Sequence, residues 1–300
     1  MEKTKDIIVV GSIAFDDVQT IKGKREKLLG GSGTYFSLAG SLFTNIHLVG
    51  VVGEDFPNNY IMMFNDKGIS TDYLIKEKGE TFHWGGVYSD DFSTRDTLFT
   101  KLGVFENFQP QITDSSFDAP ILFLANIQPS LQNDVINQID NASLTVLDTM
   151  NLWIDNNYNE LLEVIKKCDI LLINDEEIMQ LTKNNNLESA AYNLLDLGLR
   201  YVIVKQGGAG SLIISNKLNV HIPAVPNLDV VDPTGAGDSF AGAFLGYLAS
   251  NSNNIIDAVI TASALASYTV SEFGIGGIQN LELHNIEKRV KLINNLIKDL

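Results

Sequence analysis

The amino-acid sequence predicts an α/β fold in which helices cover a mostly parallel central sheet, and two observations support this prediction. The first is a series of short, continuously apolar runs, the pattern of strands that are buried on both faces. The second is that helix-like segments separate these runs, an alternation typical of a doubly wound sheet with right-handed crossovers. The 300 residues, 45% of them hydrophobic, suffice for one large α/β domain or two smaller ones.

The elements follow one another in a regular order. The apolar runs that predict buried strands are Ile7–Val10, Ile46–Val52, Ile121–Leu124, Leu144–Leu147, Ile170–Ile173 and Tyr201–Val204. The segments with helical spacing are Thr34–Phe43, Tyr158–Lys167, Glu176–Thr182 and Glu188–Leu197. The last segment, Ile286–Leu300, carries one apolar stripe, which predicts an amphipathic helix packed on the body.

The region 71–105 interrupts this order. It alternates between apolar and polar residues, with turns expected at Gly79, Asp90-Asp91 and Gly103, which favours an antiparallel ribbon. The region 14–32 supplies further strands of the same kind. We therefore expect a small β-sheet built from about 14–32 and 71–105, which is either a lid over the strand ends of the body or a peripheral hairpin.

Charge and composition exclude several classes of protein. The net charge is −16 and no basic stripe is present, which argues against binding to nucleic acid. Cys168 is the single cysteine and the four histidines are scattered, so neither an internal disulfide nor a zinc site is expected. The apolar stretch Ile7–Val10 is too short for a signal peptide or a membrane span. We expect a soluble, cytoplasmic protein.

The strongest candidate for chemistry is the segment Asp232-Pro-Thr-Gly-Ala-Gly-Asp238. Ligands of open α/β sheets collect where strands end, and here glycines stand where a helical pattern begins. Exposed N–H groups and the helix dipole would together form a cradle for a phosphate or a developing oxyanion. Asp238 falls in the first turn of that helix, where a carboxylate either complements the dipole or takes part in chemistry. Its position beside Gly235 and Gly237 favours chemistry.

Four further segments follow predicted strands or precede helices. Gly30–Gly33 matches neither a dinucleotide fingerprint nor a P-loop, so it is either an amide turn for a ligand or a plain loop. Asp16 places a carboxylate just beyond the first strand. Asn174–Glu177 either orients Mg²⁺ through water or caps a helix. Lys205–Gly210 is a glycine turn or a tight hairpin.

In their order along the chain, these five segments resemble the motifs of the ribokinase-like (PfkB) family of carbohydrate and nucleoside kinases. The similarity covers nearly the whole chain, and Asp232–Asp238 with the following Ser-Phe is close to the C-terminal signature of that family. The resemblance implies one three-layer α/β/α sandwich over residues 1–300, with a mostly parallel central sheet and a small β-lid. It also implies transfer of a phosphoryl group from ATP to a small neutral polyol, which is a sugar, a cyclitol or a nucleoside.

The resemblance further implies roles for individual residues on the acceptor side. Asp238 would be the catalytic base that takes the proton from the attacking hydroxyl. The amides of Gly235, Ala236 and Gly237 would stabilise charge on the transferring phosphoryl group. Substrate hydroxyls would be bound by Asp16, with Gly30 and Gly31 at the lid hinge and Tyr35 in the same site.

On the nucleotide side the resemblance implies bound ATP, Mg²⁺ and a monovalent cation such as K⁺. The residues that would border ATP are Asn174, Lys205, Gly207 and Gly210. Glu177 would help to hold Mg²⁺ through water. Asp232 and Thr234 would lie beside the monovalent cation, which is common in relatives.

Two positions depart from the family pattern for ribose. Sugar-specific members that resemble ribokinase carry asparagine where this chain has Ala14 and Tyr35. Losing two polar contacts in a buried hydroxyl site costs roughly 1–3 kcal/mol each, so ribose is disfavoured as the acceptor. In carrying an aromatic residue after the paired glycines, the chain is similar to inositol kinases of the family. Trp153 stands where fructokinase-like members have arginine, which disfavours acidic and phosphorylated sugars.

Two alternatives remain open from the sequence. A non-catalytic relative that binds nucleotide or polyol and serves as an interaction module would also keep the fold, although the intact Asp238 and its glycines argue against it. In the resembled family, lids often pair between subunits, which implies a homodimer with Phe82, Trp84 and Phe92 in the contact. A solvated ribbon would show the same alternation.

Overall fold

A computed structural model describes residues 4–113, 117–250 and 254–298 of the chain. Its strands are β1 Ile7–Val10, β2 Ala14–Thr20, β3 Gly23–Gly30, β4 Ile46–Gly53, β5 Ile69–Ser70, β6 Leu74–Glu77, β7 Phe82–Tyr88, β8 Arg95–Lys101, β9 Ile121–Leu124, β10 Leu144–Asp148, β11 Ile170–Asn174, β12 Tyr201–Lys205, β13 Ser211–Ser215 and β14 Leu218–Ile222. Its helices are α1 Ser32–Gly40, α2 Asn58–Asp66, α3 Pro129–Ile136, α4 Asn151–Asn156, α5 Tyr158–Ile165, α6 Asp175–Thr182, α7 Leu187–Leu195, α8 Ala236–Ser250, α9 Ile255–Thr269, α10 Gly276–Gln279 and α11 Leu283–Lys298.

The main sheet has the order β14-β13-β12-β11-β10-β9-β1-β4-β5, and β6 also pairs with β4. All of its pairs are parallel except those of β12 with β13 and of β13 with β14. Ile7 and Val9 of β1 belong to one apolar core, whereas Ile8 and Val10 belong to another, so the sheet is buried on both faces. The predicted α/β sandwich with a mostly parallel central sheet is confirmed.

The predicted helix over residues 34–43 is shifted in the structure, where α1 begins at Ser32 and ends at Gly40. The start is fixed by reciprocal hydrogen bonds: the Ser32 amide donates to Ser12 Oγ at 3.0 Å, and the Ser12 amide donates to Ser32 Oγ at 3.2 Å. These contacts join residues that are 20 positions apart, and helical spacing within the segment does not reveal them. Leu300 of the predicted C-terminal stripe lies outside the described residues.

A second, four-stranded sheet has the order β3-β2-β7-β8 and is called the small sheet below. It uses residues 14–30 and 82–101, a narrower range than the predicted 14–32 and 71–105. The difference arises because β6 pairs in parallel with β4 of the main sheet, from Gly50 opposite Leu74 to Gly53 opposite Glu77. The small sheet is also not purely antiparallel, since β2 and β7 run parallel.

Three side-chain contacts join the small sheet to the segment that precedes α8. Thr20 Oγ1 donates to the carbonyl oxygen of Val231 at 2.9 Å, and Lys22 Nζ lies 2.6 Å from the Asp229 carboxylate. The hydroxyls of Tyr88 and Thr234 are 3.1 Å apart. The small sheet therefore lies against the start of α8. Among the described helices, none combines the length and apolar character needed to cross a membrane.

Candidate active site

The carboxyl ends of three adjacent strands place polar side chains side by side. β10 ends at Asp148, β11 ends at Asn174 and β12 ends at Lys205, with Asn174 paired to Lys205 in the parallel register. Because β9 to β12 run parallel, their carboxyl ends share one edge of the sheet, where ligands of open α/β sheets bind. The N-terminus of α8, which carries Asp238 in its first turn, approaches the same edge, next to Lys205.

The turn into α8 requires glycine at position 235. Gly235 has a φ of +75°, and a Cβ there would collide with the ring of Tyr35. The amide of Ala236 donates to the Pro233 carbonyl at 3.2 Å, so of the three amides expected in the anion cradle, this one already has an acceptor. The backbone from Gly235 to Gly237 is partly exposed, which leaves the start of α8 accessible to a ligand.

Asp238 is surrounded by protein yet retains some exposure. Burial is the main cause that raises its pKa to about 7, and the charge of Asp148 adds to the rise. Lys205 and Arg95 lower the pKa in part. A carboxylate with a pKa near neutrality can take up and release a proton under ordinary conditions, as a general base requires.

Asp16, on β2 of the small sheet, is a second carboxylate with a pKa raised to about 7. Burial is again the main cause, and the charges of Asp232 and Asp238 contribute. A Cβ at Gly30 would collide with the Asp16 carboxylate, and one at Gly31, whose φ is +92°, would collide with the carbonyl of Ser12. Gly30 thus makes room for the Asp16 carboxylate, and Gly31 makes room for the Ser12 carbonyl.

Tyr35 lies in the first turns of α1 with 1% of its surface exposed, and its hydroxyl has no hydrogen-bond partner. Burial raises its pKa well above the ordinary value, and Asp16 and Asp232 raise it further, so the hydroxyl stays protonated. Ala14 is fully buried on β2, opposite Gly30. The two positions that depart from the ribose pattern, Ala14 and Tyr35, are therefore both buried near Asp16.

Lys205 forms an ion pair with Asp148, in which Nζ lies 3.0 Å from each carboxylate oxygen. A Cβ at Gly237 would lie 3.2 Å from Lys205 Nζ, so the ammonium stands beside the first turn of α8. Sequence reasoning did not select Asp148 as a site residue, although its place directly after a predicted strand was a signal. Arg95 was also missed, because an arginine in an exposed ribbon has no distinguishing pattern.

Asn174 and Glu177 form a capping box at the start of α6. Asn174 Oδ1 accepts from the Glu177 amide at 2.7 Å, and Glu177 Oε2 accepts from the Asn174 amide at 3.0 Å. Burial raises the pKa of Glu177 to about 7, although the charge of Lys205 opposes the rise. The helix-cap interpretation thus describes the local geometry, and the same carboxylate also lies within the charged cluster of the site.

No group of three or more histidine, cysteine or acidic side chains in the described part of the chain could cage a metal ion. Magnesium that is bound with nucleotides keeps several waters and takes phosphate oxygens, together with one or two carboxylates. Glu177 is a buried carboxylate of this kind and lies near Lys205. The site fits Mg²⁺ that arrives with a nucleotide.

For the segment after β12 the sequence allowed a glycine turn or a tight hairpin, and the structure combines the two. It includes a short 3₁₀ turn over Gly207–Ala209 and leads into the antiparallel strand β13. Gly207 and Gly210 have φ values of +51° and +101°, and the space around Gly207 is open. The glycine turn that follows Lys205 is therefore open to solvent at Gly207.

Asp232 joins two loops through backbone amides. Its Oδ1 accepts from the Thr234 amide at 2.9 Å and its Oδ2 accepts from the Gly274 amide at 2.9 Å. Thr234 contacts Tyr88 of the small sheet through its hydroxyl. In this geometry Asp232 and Thr234 hold the segment before α8 in place.

Comparisons with known proteins agree with the fold. The family model described as pfkB family carbohydrate kinase matches residues 4–280. The cytidine kinase of Thermococcus kodakarensis is 28% identical over 255 residues, which cover 81% of this chain and 88% of that protein. The ribokinase of Dictyostelium discoideum is 29% identical over 289 residues, 85% of this chain and 88% of that protein.

Two solved structures share the fold over nearly their whole length. The nucleoside kinase of Methanocaldococcus jannaschii has a TM-score of 0.80 and 22% identity, covering 97% of this chain and 99% of that chain. A putative ribokinase II from E. coli in complex with ATP and Mg²⁺ has a TM-score of 0.81 and 18% identity, covering 96% of this chain and 99% of that chain.

Proposed function

The chain belongs to the pfkB family of carbohydrate kinases, and from this premise we propose that it transfers the γ-phosphoryl group of ATP to a hydroxyl of a small neutral polyol, with Asp238 as the catalytic base. The observation that carries the proposal is the place of Asp238. It lies in the first turn of α8, its pKa is about 7, and the ammonium of Lys205 is next to that turn.

The proposed reaction is an in-line displacement. The acceptor hydroxyl oxygen forms a bond to the γ-phosphorus while the bond to the bridging oxygen of ADP breaks, and the hydroxyl proton passes to the Asp238 carboxylate. Asp16 binds hydroxyls of the acceptor, and the backbone amides at Gly235 and Gly237 stabilise negative charge on the phosphoryl group. Gly207 and Gly210 border the nucleotide.

Kinases of this family use ATP and Mg²⁺. We infer that Glu177 and Asn174 hold Mg²⁺ and the phosphates through water, where the ion would neutralise phosphate charge. We further infer that a monovalent cation, K⁺ in the first instance, binds beside Asp232 and Thr234. Each oxygen of Asp232 accepts one amide hydrogen bond, and a carboxylate oxygen has room for a second partner.

The acceptor is proposed to be a sugar, a cyclitol or the ribose of a nucleoside. Ala14 offers no side-chain hydrogen bond, and Tyr35 adds an aromatic ring and one hydroxyl, so free ribose is not favoured. The relative named cytidine kinase and the fold neighbour named nucleoside kinase support testing nucleosides first.

The proposed function is tested by an assay for ADP release over sugars, cyclitols and nucleosides with MgATP. In Asp238→Asn we expect turnover of the preferred acceptor to fall by about 10²–10⁴-fold, the usual contribution of a general base, while nucleotide binding persists. The matched control is Asp257→Asn, because Asp257 is a first-turn carboxylate of α9. Undiminished turnover in Asp238→Asn would remove Asp238 from the role of base.

We also infer a homodimer through β8, the edge strand of the small sheet. Leu98 on β8 is 59% exposed, and the Trp84 ring on β7 is covered on one side by the Arg95 guanidinium at 5.1 Å. Phe82 stacks on Phe105 within the chain, with ring centroids 5.6 Å apart, which makes it less suited to the contact than Leu98.

A further inference from the structure

Lys205 and Asp148 form a buried ion pair for which packing alone gives little reason. The Lys205 side chain is 16% exposed and that of Asp148 is 5% exposed. Removing two charges from water costs about as much as their attraction returns, so an apolar pair would often be at least as stable there. A lysine and an aspartate in these positions therefore need an explanation other than stability.

The position of the Lys205 ammonium supplies such an explanation. β10 and β12 flank β11 and bring Asp148 and Lys205 together at the edge of the sheet where α8 begins. A methyl group on Gly237 would lie 3.2 Å from Lys205 Nζ, so the ammonium stands next to Gly237 of the anion cradle with no side chain between them. An ammonium has three N–H donors, and the two oxygens of Asp148 account for two of them.

The charges around Lys205 also favour a role for its ammonium at the start of α8. Lys205 is surrounded by the carboxylates of Asp148, Glu177 and Asp238, each of which raises its pKa. A phosphate at the start of α8 would meet this concentration of negative charge, and Lys205 is the nearest cation to the amides there. Arg95, the other cation that acts on Asp238, is exposed on β8 of the small sheet.

Building on the proposed kinase function, we propose that Lys205 contacts the phosphoryl group that is transferred, and that Asp148 is the positioning residue that holds the Lys205 ammonium against Gly237. Lys205 then does not merely lie beside the nucleotide, because its ammonium contacts the terminal phosphate. Asp148 touches neither the nucleotide nor the acceptor and acts through Lys205.

The first test compares nucleotides that differ by the terminal phosphate. In Lys205→Met, the affinity for a non-hydrolysable ATP analogue with Mg²⁺ falls by about tenfold to a hundredfold, the value of a hydrogen bond to a charged group, while the affinity for MgADP is unchanged. Titration calorimetry measures both. The control is Lys166→Met, which removes an exposed ion pair with Glu163 and leaves both affinities unchanged. An equal loss for the two nucleotides overturns the proposal.

The second test is a double-mutant cycle of Asp148→Asn and Lys205→Met. Each single variant lowers kcat by about 10²–10³-fold with little change in KM for the acceptor, as expected for a group that acts in the transition state. Each also lowers Tm, because it leaves one buried charge without its partner. In the double variant Tm recovers, whereas kcat stays as low as in Lys205→Met, since Asp148 acts only through Lys205.

Recovery of kcat together with Tm in the double variant would mean that the pair is structural, and the proposal would be wrong. The outcome of these two tests is separable from the outcome of the test of the proposed function. If the wild-type protein phosphorylates no polyol, the proposed function fails, whereas the comparison of ATP analogue with ADP still decides whether Lys205 contacts the terminal phosphate.

Discussion

At the scale of single residues, the site keeps polar groups in states that folding alone does not favour. Tyr35 buries a hydroxyl without a partner, and Asp16, Glu177 and Asp238 keep carboxylates whose pKa is about 7. Groups that lower stability in the free protein are common where a ligand later satisfies them. These residues therefore predict opposite effects of mutation on stability and on binding.

The hydroxyl of Tyr35 provides one such prediction. An unpaired buried hydroxyl costs about 1–3 kcal/mol, so we expect Tyr35→Phe to be as stable as the wild type, or more stable, without ligand. The same variant should show a higher KM for the acceptor. The control is Tyr88→Phe, which loses a hydrogen bond to Thr234 and should lose about 1 kcal/mol of stability. Thermal unfolding and steady-state kinetics measure the two effects; a clear loss of stability in Tyr35→Phe would contradict the prediction.

The carboxylates whose pKa is raised predict how stability depends on pH. The pKa of Asp16 and of Asp238 is about 7 in the folded chain against 3.8 for the free side chain, so between these values the native state binds more protons than the unfolded state. The free energy of unfolding should then fall as the pH rises from about 4 to about 7. Urea unfolding without ligand at several pH values measures the slope. Asp238→Asn should make the slope shallower, and an unchanged slope would show that Asp238 does not titrate there.

At the scale of elements, α1 and α8 are packed so closely that glycine is required between them. A Cβ at Gly242 would collide with the carbonyl oxygen of Phe36, and one at Gly246 would lie 3.0 Å from the carbonyl of Gly40. The N-terminus of α1 carries Gly31 and that of α8 carries Asp238. The close crossing of these two helices thus sets the distance between the acceptor side of the site and the proposed base.

Substitution of Gly242 by alanine tests whether the close crossing of α1 and α8 matters for stability and turnover. Alanine favours a helix over glycine by about 1 kcal/mol, yet forcing a methyl group into a packed contact costs typically 1–3 kcal/mol, so the net change should be destabilising. Because the helices must separate, we also expect a lower kcat. Gly208→Ala is the control for stability alone, since its Cβ would meet no atom within 4 Å. Circular dichroism on both variants and kinetics on Gly242→Ala give the comparison, and a stabilised Gly242→Ala would contradict it.

The elements that could be predicted from the sequence are those whose signal is local. Strands such as β9 and β12 are continuous apolar runs, and their predicted limits agree with the structure to within one residue. The edge strand β6 shares the alternating pattern of the small sheet, so its pairing with β4 could not be told from the sequence. The ion pair of Asp148 with Lys205 spans 57 positions, and only the fold brings the two together.

At the scale of the whole molecule, the small sheet lies against the segment before α8 and ends in the edge strand β8. Its contacts with that segment run through Thr20, Lys22 and Tyr88, whereas Leu98 on β8 is 59% exposed. An exposed leucine on an edge strand is suited to pairing with another copy of the same sheet. Dimerisation through β8 would leave the contacts with the segment before α8 intact.

This arrangement predicts the effect of a charge on β8. Leu98→Asp would bury a charge in the dimer contact, so we expect the variant to sediment as a monomer at concentrations where the wild type sediments as a dimer. Leu152→Asp on α4 is the matched control, because Leu152 is 47% exposed on the main body and should not change the sedimentation. Both variants should keep their Tm, since neither leucine is in the core. If Leu98→Asp and the wild type sediment alike, the dimer does not form through β8, and the exposed residues of this strand belong to a solvated ribbon.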